Sequence, residues 1–391
     1  MGVLSEQNIY LYNRGTDFVF TMYIENISLV NFKNFAEINL EFHSKLNCFV
    51  GDNGAGKTNL LDAIYYLCMC KSYFTSTDLY SIHDKADFMV LQGNFFRGKK
   101  PEELYCGLKH DKKKQFRRNK KEYSRLSDHI GLFPVVMVSP CDSQLITEGS
   151  EDRRKYINGV ISQYDRTYLE NTIHYGRILA QRNKLLKGIG TNSPEYELLD
   201  VFDGQLVAYG TAIHEKRTEF IKEFIPVFNY YYQFISGGRE PVEMVYQSQL
   251  SDSSFSGRLR KARQRDVLLK YSTVGVHKDD LLMNLMGEPI KLIGSQGQQK
   301  TYLVSMKFAQ FEFLQKLKRF PPLLLLDDVF DKLDINRVRQ ILKLVNENSF
   351  GQIFITHTNL DRMKNILDEL KIDHKLFLIS DGKAQAIDDA S

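Results

Sequence analysis

Eight consecutive residues, Gly51-Asp52-Asn53-Gly54-Ala55-Gly56-Lys57-Thr58, carry the densest chemistry in this 391-residue chain. They follow the phosphate-binding spacing G-x-x-x-x-G-K-[ST]. The glycines let the backbone curl until successive N–H groups face one anion, and the helix that should follow adds the positive end of its dipole. Lys57 supplies a point charge for the β- and γ-phosphates of ATP, and the Thr58 hydroxyl is an oxygen ligand for Mg2+. The flanks agree with this reading. Lys45 to Val50 forms a short, mostly apolar strand into the loop, and Leu60, Leu61, Ile64, Tyr65, Leu67 and Cys68 recur at helical spacing after it.

A second set of residues completes a hydrolytic site. Pro322 to Leu326 is an unbroken apolar run that ends in Asp327 and Asp328, the texture of a buried parallel strand with a ligand site at its carboxyl end. Asp327 is expected to bind Mg2+ through water, and Asp328 to polarise the attacking water. The alternative is a pair of acids that cap the next helix. Ile353 to His357 is another buried strand, and its terminal His357 either senses the γ-phosphate or is a satisfied strand-end residue. Ser295-Gln296-Gly297-Gln298-Gln299-Lys300 precedes the helical run Leu303 to Leu314. Ser295, Gly297 and Gln298 at the mouth of that helix make a second phosphate site. One chain already holds a phosphate loop, so a second one predicts nucleotide shared between two copies.

The net charge of +4 is unevenly spread: Arg97 to Arg125 holds twelve Lys or Arg against four acids, so that segment is +8 and the remainder −4. A positive stripe on a mildly acidic body suits a polyanion such as DNA. Leu104 to Lys109 and Gln115 to Tyr123 read as hairpin arms around a tip at His110 to Lys114. Lys112, Lys113, Lys114, Arg117, Arg118, Lys120 and Lys121 are the expected backbone contacts. A solvated hairpin is the competing reading, but so many like charges repel one another unless phosphates neutralise them. Arg258 to Arg265 is a second cluster, equally readable as the polar face of a helix.

The five cysteines lack C-x-x-C spacing, no secretory signal is evident, and no apolar run is long enough to span a bilayer, so a reducing, cytoplasmic location is expected. Residues 1–21 read as an extension outside the fold. An ATPase domain is expected over 22–150 and 237–391, interrupted at 151–236 by a helical arm. Ile157, Val160, Ile161, Tyr164, Tyr168, Ile173 and Leu179 mark one long helix; Ser193-Pro194 starts a second that runs to about Pro226. Together they predict an antiparallel pair about 50 Å long. Leu281 to Gly287 and Pro289 to Ile293 read as a further hairpin.

The ordered set of phosphate loop, S-x-G-Q, paired acids, Asp331-Lys332-Leu333-Asp334 and strand with histidine resembles the ABC-type ATPases, an α/β head with a mixed sheet. Within that class the chain is similar to the RecF family of bacterial recombination mediators. That similarity rests also on Asn31 to Phe35, Ser139-Pro140, Arg153-Arg154, Gln205-Leu206 with Tyr209-Gly210, and Leu325 to Phe330. Val276 and Lys278 depart from its usual pattern. The resemblance implies an ATP-dependent homodimer that binds duplex DNA, gap junctions and single strands, works with RecO and RecR partners, and helps load recombinase. Asp328, one methylene shorter than the glutamate common in the class, predicts slow hydrolysis. Three other readings compete: the nucleotide-binding subunit of a membrane transporter, an ATP-binding scaffold without useful hydrolysis, and a phosphotransferase.

Overall fold

The computed structural model describes residues 21–190, 194–238, 240–251, 254–330, 335–346, 350–371 and 373–387. Most of the N-terminal extension, the Ser193 cap and the Asp331 to Asp334 segment lie outside them. In chain order, β1 (Met22–Phe32), β2 (Phe35–Glu41) and β3 (Leu46–Val50) lead into α1 (Lys57–Met69). Then come β4 (Phe88–Arg97), β5 (Lys100–Lys109), β6 (Gln115–Arg118), β7 (Lys121–Glu122) and β8 (Val135–Val138).

The helical insertion comprises α2 (Ser150–Ser162), α3 (Arg166–Gly188) and α4 (Leu198–Ser236), followed by β9 (Val242–Gln247) and α5 (Phe255–Leu269). The remainder is β10 (Asp280–Leu285), β11 (Glu288–Pro289), α6 (Gln296–Lys318) and β12 (Leu323–Leu326). It closes with α7 (Ile335–Asn346), β13 (Ile353–His357), α8 (Leu360–Leu370), β14 (His374–Ser380) and β15 (Lys383–Ile387).

The central sheet has the order β15-β14-β3-β13-β12-β8, parallel except for β15. Its inner strands are apolar on both faces, because side chains that alternate along each strand enter two different cores. Leu324, Leu326, Ile353 and Ile355 pack toward the helices, while Leu323, Leu325, Phe49 and Phe354 face the other way. There α1 lies between the central sheet and an antiparallel sheet of order β2-β1-β4-β5-β6-β7. Leu60, Leu61, Ile64 and Leu67 are almost wholly buried in that layer.

Five sequence expectations need correction. The long helix expected over Ile157 to Leu179 is two, α2 and α3. The side chain of Gln163 leaves the helix to pair with Val135 of the central sheet (2.9 and 3.2 Å), and Asp165 caps α3 by accepting from Tyr168 N (2.8 Å). Ile173, expected to be buried, is exposed. α4 does not end near Pro226 but continues to Ser236: Phe224, Val227, Phe228 and Tyr232 are buried on both sides of the proline and hold the helix through the lost hydrogen bond. The antiparallel pairing is limited by the 23-residue α3 to about 35 Å. Finally, Pro289 to Ile293 is not a hairpin arm: only Glu288–Pro289 pairs, and Ile290–Ile293 is a helical turn.

Buried ion pairs fix the arm. Arg182, fully enclosed, donates to Asp203, Asp266 and Ser272, each at 2.7 Å, and Arg217 pairs with Asp279 at 2.6 Å. Arg263 of the Arg258 to Arg265 cluster is likewise tied to Asp203 (2.8 Å) and to Asp200.

Two histidines share one design. His129 bonds the Leu67 carbonyl (2.8 Å) and the Tyr123 hydroxyl (3.0 Å), and His277 bonds the Ser272 carbonyl (3.1 Å) and the Tyr175 hydroxyl (2.8 Å). A carbonyl only accepts, so Nε2 carries the proton in each ring and Nδ1 accepts from tyrosine. Burial pushes both down from 6.5 to about 4, so both are neutral when folded. Below pH 6.5 the unfolded chain binds protons that the folded one does not. Stability should therefore fall as pH drops from 6.5 toward 4, on the order of 3 kcal/mol for each histidine. Urea unfolding at stepped pH tests this; His277→Gln should lower the slope, and a flat profile for the wild type would refute the assignment.

Candidate nucleotide-binding site

Parallel β3, β13, β12 and β8 end along one edge of the central sheet and deliver, respectively, the loop 51–56, His357, Asp327 with Asp328, and Ser139. The loop has the curl expected from its glycines: Gly54 and Gly56 have φ of +82° and +118°. At Gly56 a Cβ would also lie 2.5 Å from Asn34 Nδ2 and 2.8 Å from the Phe35 ring. At Gly51 it would lie 2.1 Å from the Ile379 carbonyl oxygen of β14. α1 begins without a side-chain cap and without an acid in its first turn, so no side chain competes for its leading N–H groups. Buried Lys57 folds back over the loop and donates to the carbonyls of Gly51 (2.8 Å) and Asp52 (2.9 Å).

Asp327 is the meeting point of the acid side. Its carboxylate accepts from Thr58 Oγ1 (2.9 and 3.1 Å), from Thr356 Oγ1 (2.9 Å) and, more distantly, from Ser139 Oγ (3.4 Å). Burial raises its pKa, and these hydroxyls oppose the rise. Asp328 stands next to it in a left-handed backbone conformation (φ +46°), held by its N–H to Thr356 Oγ1 (2.9 Å) and by Lys300 Nζ to its carbonyl (2.9 Å). His357 is buried at the end of β13; its Nδ1 accepts from Asn359 N (2.8 Å), and burial lowers its pKa, so the ring is neutral near pH 7.

A family model described as the RecF/RecN/SMC N-terminal domain matches residues 23–374. The DNA replication and repair protein RecF of Phocaeicola vulgatus is 50% identical over 364 residues, covering 93% of this chain and 98% of that protein. The chain belongs to the RecF family. A solved structure of the recombination mediator RecF with ATP superposes with a TM-score of 0.86 at 28% identity, over 96% of this chain and all of that one. An Smc head bound to the C-terminal winged-helix domain of ScpA has a TM-score of 0.55 at 16% identity, over 93% and 97% of the two chains, a likeness of fold alone. The architecture is therefore the RecF/SMC type of ATPase head, and the chain is a RecF-type DNA replication and repair protein.

Not every expected site residue of this RecF-family chain meets the others. Ser295 and Gln298 form a reciprocal capping box at the exposed start of α6: Ser295 N donates to Gln298 Oε1 (2.8 Å), and Gln298 N to Ser295 Oγ (3.3 Å). Among the described residues, no hydrogen bond joins Ser295, Gly297 or Gln298 to the loop 51–58 of the same chain.

The basic set also divides. Lys112, Lys113, Lys120 and Lys121 are exposed, and the guanidinium of Arg117 lies over Tyr105. Lys114 instead turns inward to Asp78 (2.6 Å) and the Cys70 carbonyl (2.6 Å), and Arg118 is held by Glu102. The second hairpin arm is itself folded, turning through Asn119 and Lys120 at positive φ between β6 and β7. Lys114 and Arg118 are thus neutralised by partners that a count of charges along the chain does not reveal.

Sequence reasoning passed over Asn34 as a site residue. From the turn between β1 and β2, its Nδ2 donates to the Ala55 carbonyl (2.9 Å) and its Oδ1 accepts from Asn59 (2.7 Å). One side chain thus braces the loop from outside, with Lys33 pinned to buried Asp62 (2.6 Å) beside it. Asn34→Ala should weaken ATP binding about tenfold, with a stability cost of about 1 kcal/mol. Equilibrium binding of a fluorescent ATP analogue checks the first and urea unfolding the second; unchanged affinity would reduce Asn34 to a packing residue.

Proposed function

We propose that the chain is an ATP-dependent DNA clamp of recombinational gap repair and replication-fork maintenance, and that two copies close on shared nucleotide. The observation that carries this reading is the split site. Loop and acids converge on one sheet edge, while the phosphate-binding turn at Ser295 stands exposed and without a bond to the loop. Leu292 and Ile293, just before Ser295, are large apolar side chains left 72% and 45% exposed, as a face that meets a second copy would be.

In one copy, the N–H groups of the loop and Lys57 hold the phosphates. Thr58 directly, and Asp327 through water, would supply oxygen donors of the hard kind that Mg2+ takes. Bound Mg2+ would withdraw charge from the β- and γ-phosphates. The second copy brings Ser295 and Gly297 to the γ-phosphate. Asp328 orients the water, and neutral His357, whose Nδ1 already accepts from Asn359 N, has its Nε2–H to donate toward the terminal phosphate. The shorter Asp328 and its fixed backbone favour slow hydrolysis, which resets the clamp. The solved RecF with ATP is described as a recombination mediator of the RecFOR pathway; RecO and RecR are accordingly the partners proposed for this chain.

Sedimentation with ATP and Mg2+ should double the mass of the wild type. Ser295→Arg should stay monomeric while still binding ATP; a monomeric wild type would sink the shared site. DNA contact is assigned to the exposed cations alone. Lys112→Glu, Lys113→Glu and Lys121→Glu together should weaken duplex binding and flatten its dependence on salt, by about one unit of slope for each phosphate no longer neutralised. Unaltered affinity and slope would clear the hairpin of that role.

A further inference from the structure

The capping turn at Ser295 is held from beneath by Glu240, a residue outside every motif. Its Oε1 accepts from Gln298 Nε2 (3.0 Å), and its Oε2 accepts from Tyr232 OH (2.7 Å) near the end of α4. Arg337, on the helix that follows the paired acids, lies 3.6 Å from the same carboxylate and also donates to Thr301 Oγ1 (2.7 Å). Thr301 in turn donates to the Gly297 carbonyl (2.8 Å). Glu240 thus holds Gln298 directly, while Arg337 reaches the same turn only through Thr301, four residues along α6 from Gly297.

The chemistry of the carboxylate decides how Gln298 stands. A carboxylate only accepts, so the amide must turn its NH2 toward Glu240 and its oxygen toward Ser295 N. That orientation builds the capping box. With Gln298 N donating to Ser295 Oγ, the serine's own hydrogen is left to donate outward, and among the described residues nothing accepts it. A hydroxyl that donates is what an incoming phosphate oxygen needs.

We infer that Glu240 is a positioning residue for the shared site: it sets the Gln298 amide so that Ser295 presents its hydroxyl hydrogen to the partner copy's nucleotide. The inference rests on the two-copy reading given above. Alanine at 240 removes both acceptors and the charge opposite Arg337, whereas glutamine keeps its oxygen for Gln298 by donating its NH2 to the Tyr232 hydroxyl, which accepts as well as donates. The side chain is 19% exposed, so its truncation is tolerated by the fold.

The test compares wild type, Glu240→Ala, Glu240→Gln and Tyr232→Phe. Glu240→Ala should bind ATP as a monomer within twofold of wild type and melt at a similar temperature. It should need about ten times more ATP for half-maximal dimerisation in sedimentation. Hydrogen exchange in its monomer should quicken over residues 296–301 and not in the loop 51–58. Tyr232→Phe, which removes only the bond to the arm, should dimerise like wild type. Glu240→Gln, which still offers Gln298 an oxygen, should restore dimerisation to within about threefold of wild type. Wild-type dimerisation by Glu240→Ala, or equal loss in Tyr232→Phe, overturns the role of Glu240 alone. A wild type that remains monomeric with ATP overturns the shared site itself, and this inference with it.

Discussion

Three hydroxyls from three separate elements converge on the Asp327 carboxylate, and most of the architecture can be understood as the means of bringing them there. Thr58 opens α1, Thr356 lies near the end of β13 and Ser139 follows β8. A carboxylate buried at a strand end is costly to leave ionised unless donors replace the water it loses. Those donors come together only if β8, β12 and β13 stay parallel and in register, and the two-sided apolar packing of the central sheet maintains that register.

The helix that carries Ser295 is fastened to the same region from behind. Lys307 and Asp142, each 4% exposed, pair at 2.7 Å, and Tyr73 bonds to both. Asp142 also accepts from Ser139 N (2.8 Å), so α6, the segment after β8 and the segment after α1 share one buried polar cluster. Such clusters add little net stability compared with an apolar core, but they penalise any arrangement that separates the partners. The start of α6 and the acid end of the sheet are therefore expected to move together.

The phosphate loop, the two acids and the strand bearing His357 could be read from residue type and spacing, because local backbone needs dictate them: glycine for positive φ, unbroken apolar residues for a strand buried on both faces. What escaped was decided by contacts distant in sequence. The break between α2 and α3 depends on Gln163 reaching the sheet at Val135, and the persistence of α4 past Pro226 depends on aromatic burial around it. Asn34 acts on the loop from a turn 21 residues upstream of Ala55. A charge count along the chain marks the basic segment but is silent about Asp78 and Glu102, which bind two of its members.

The cysteines have a practical corollary. Cys48, Cys68, Cys70 and Cys106 are enclosed, and burial suppresses their ionisation, whereas Cys141 is exposed and stands two residues beyond Ser139. Partial burial holds its thiol above the usual range, so its alkylation needs a more alkaline pH than that of a free cysteine. The native chain thus carries one accessible attachment point close to Asp327. A spectroscopic reporter coupled there would test the proposed closure of two copies without any engineered cysteine.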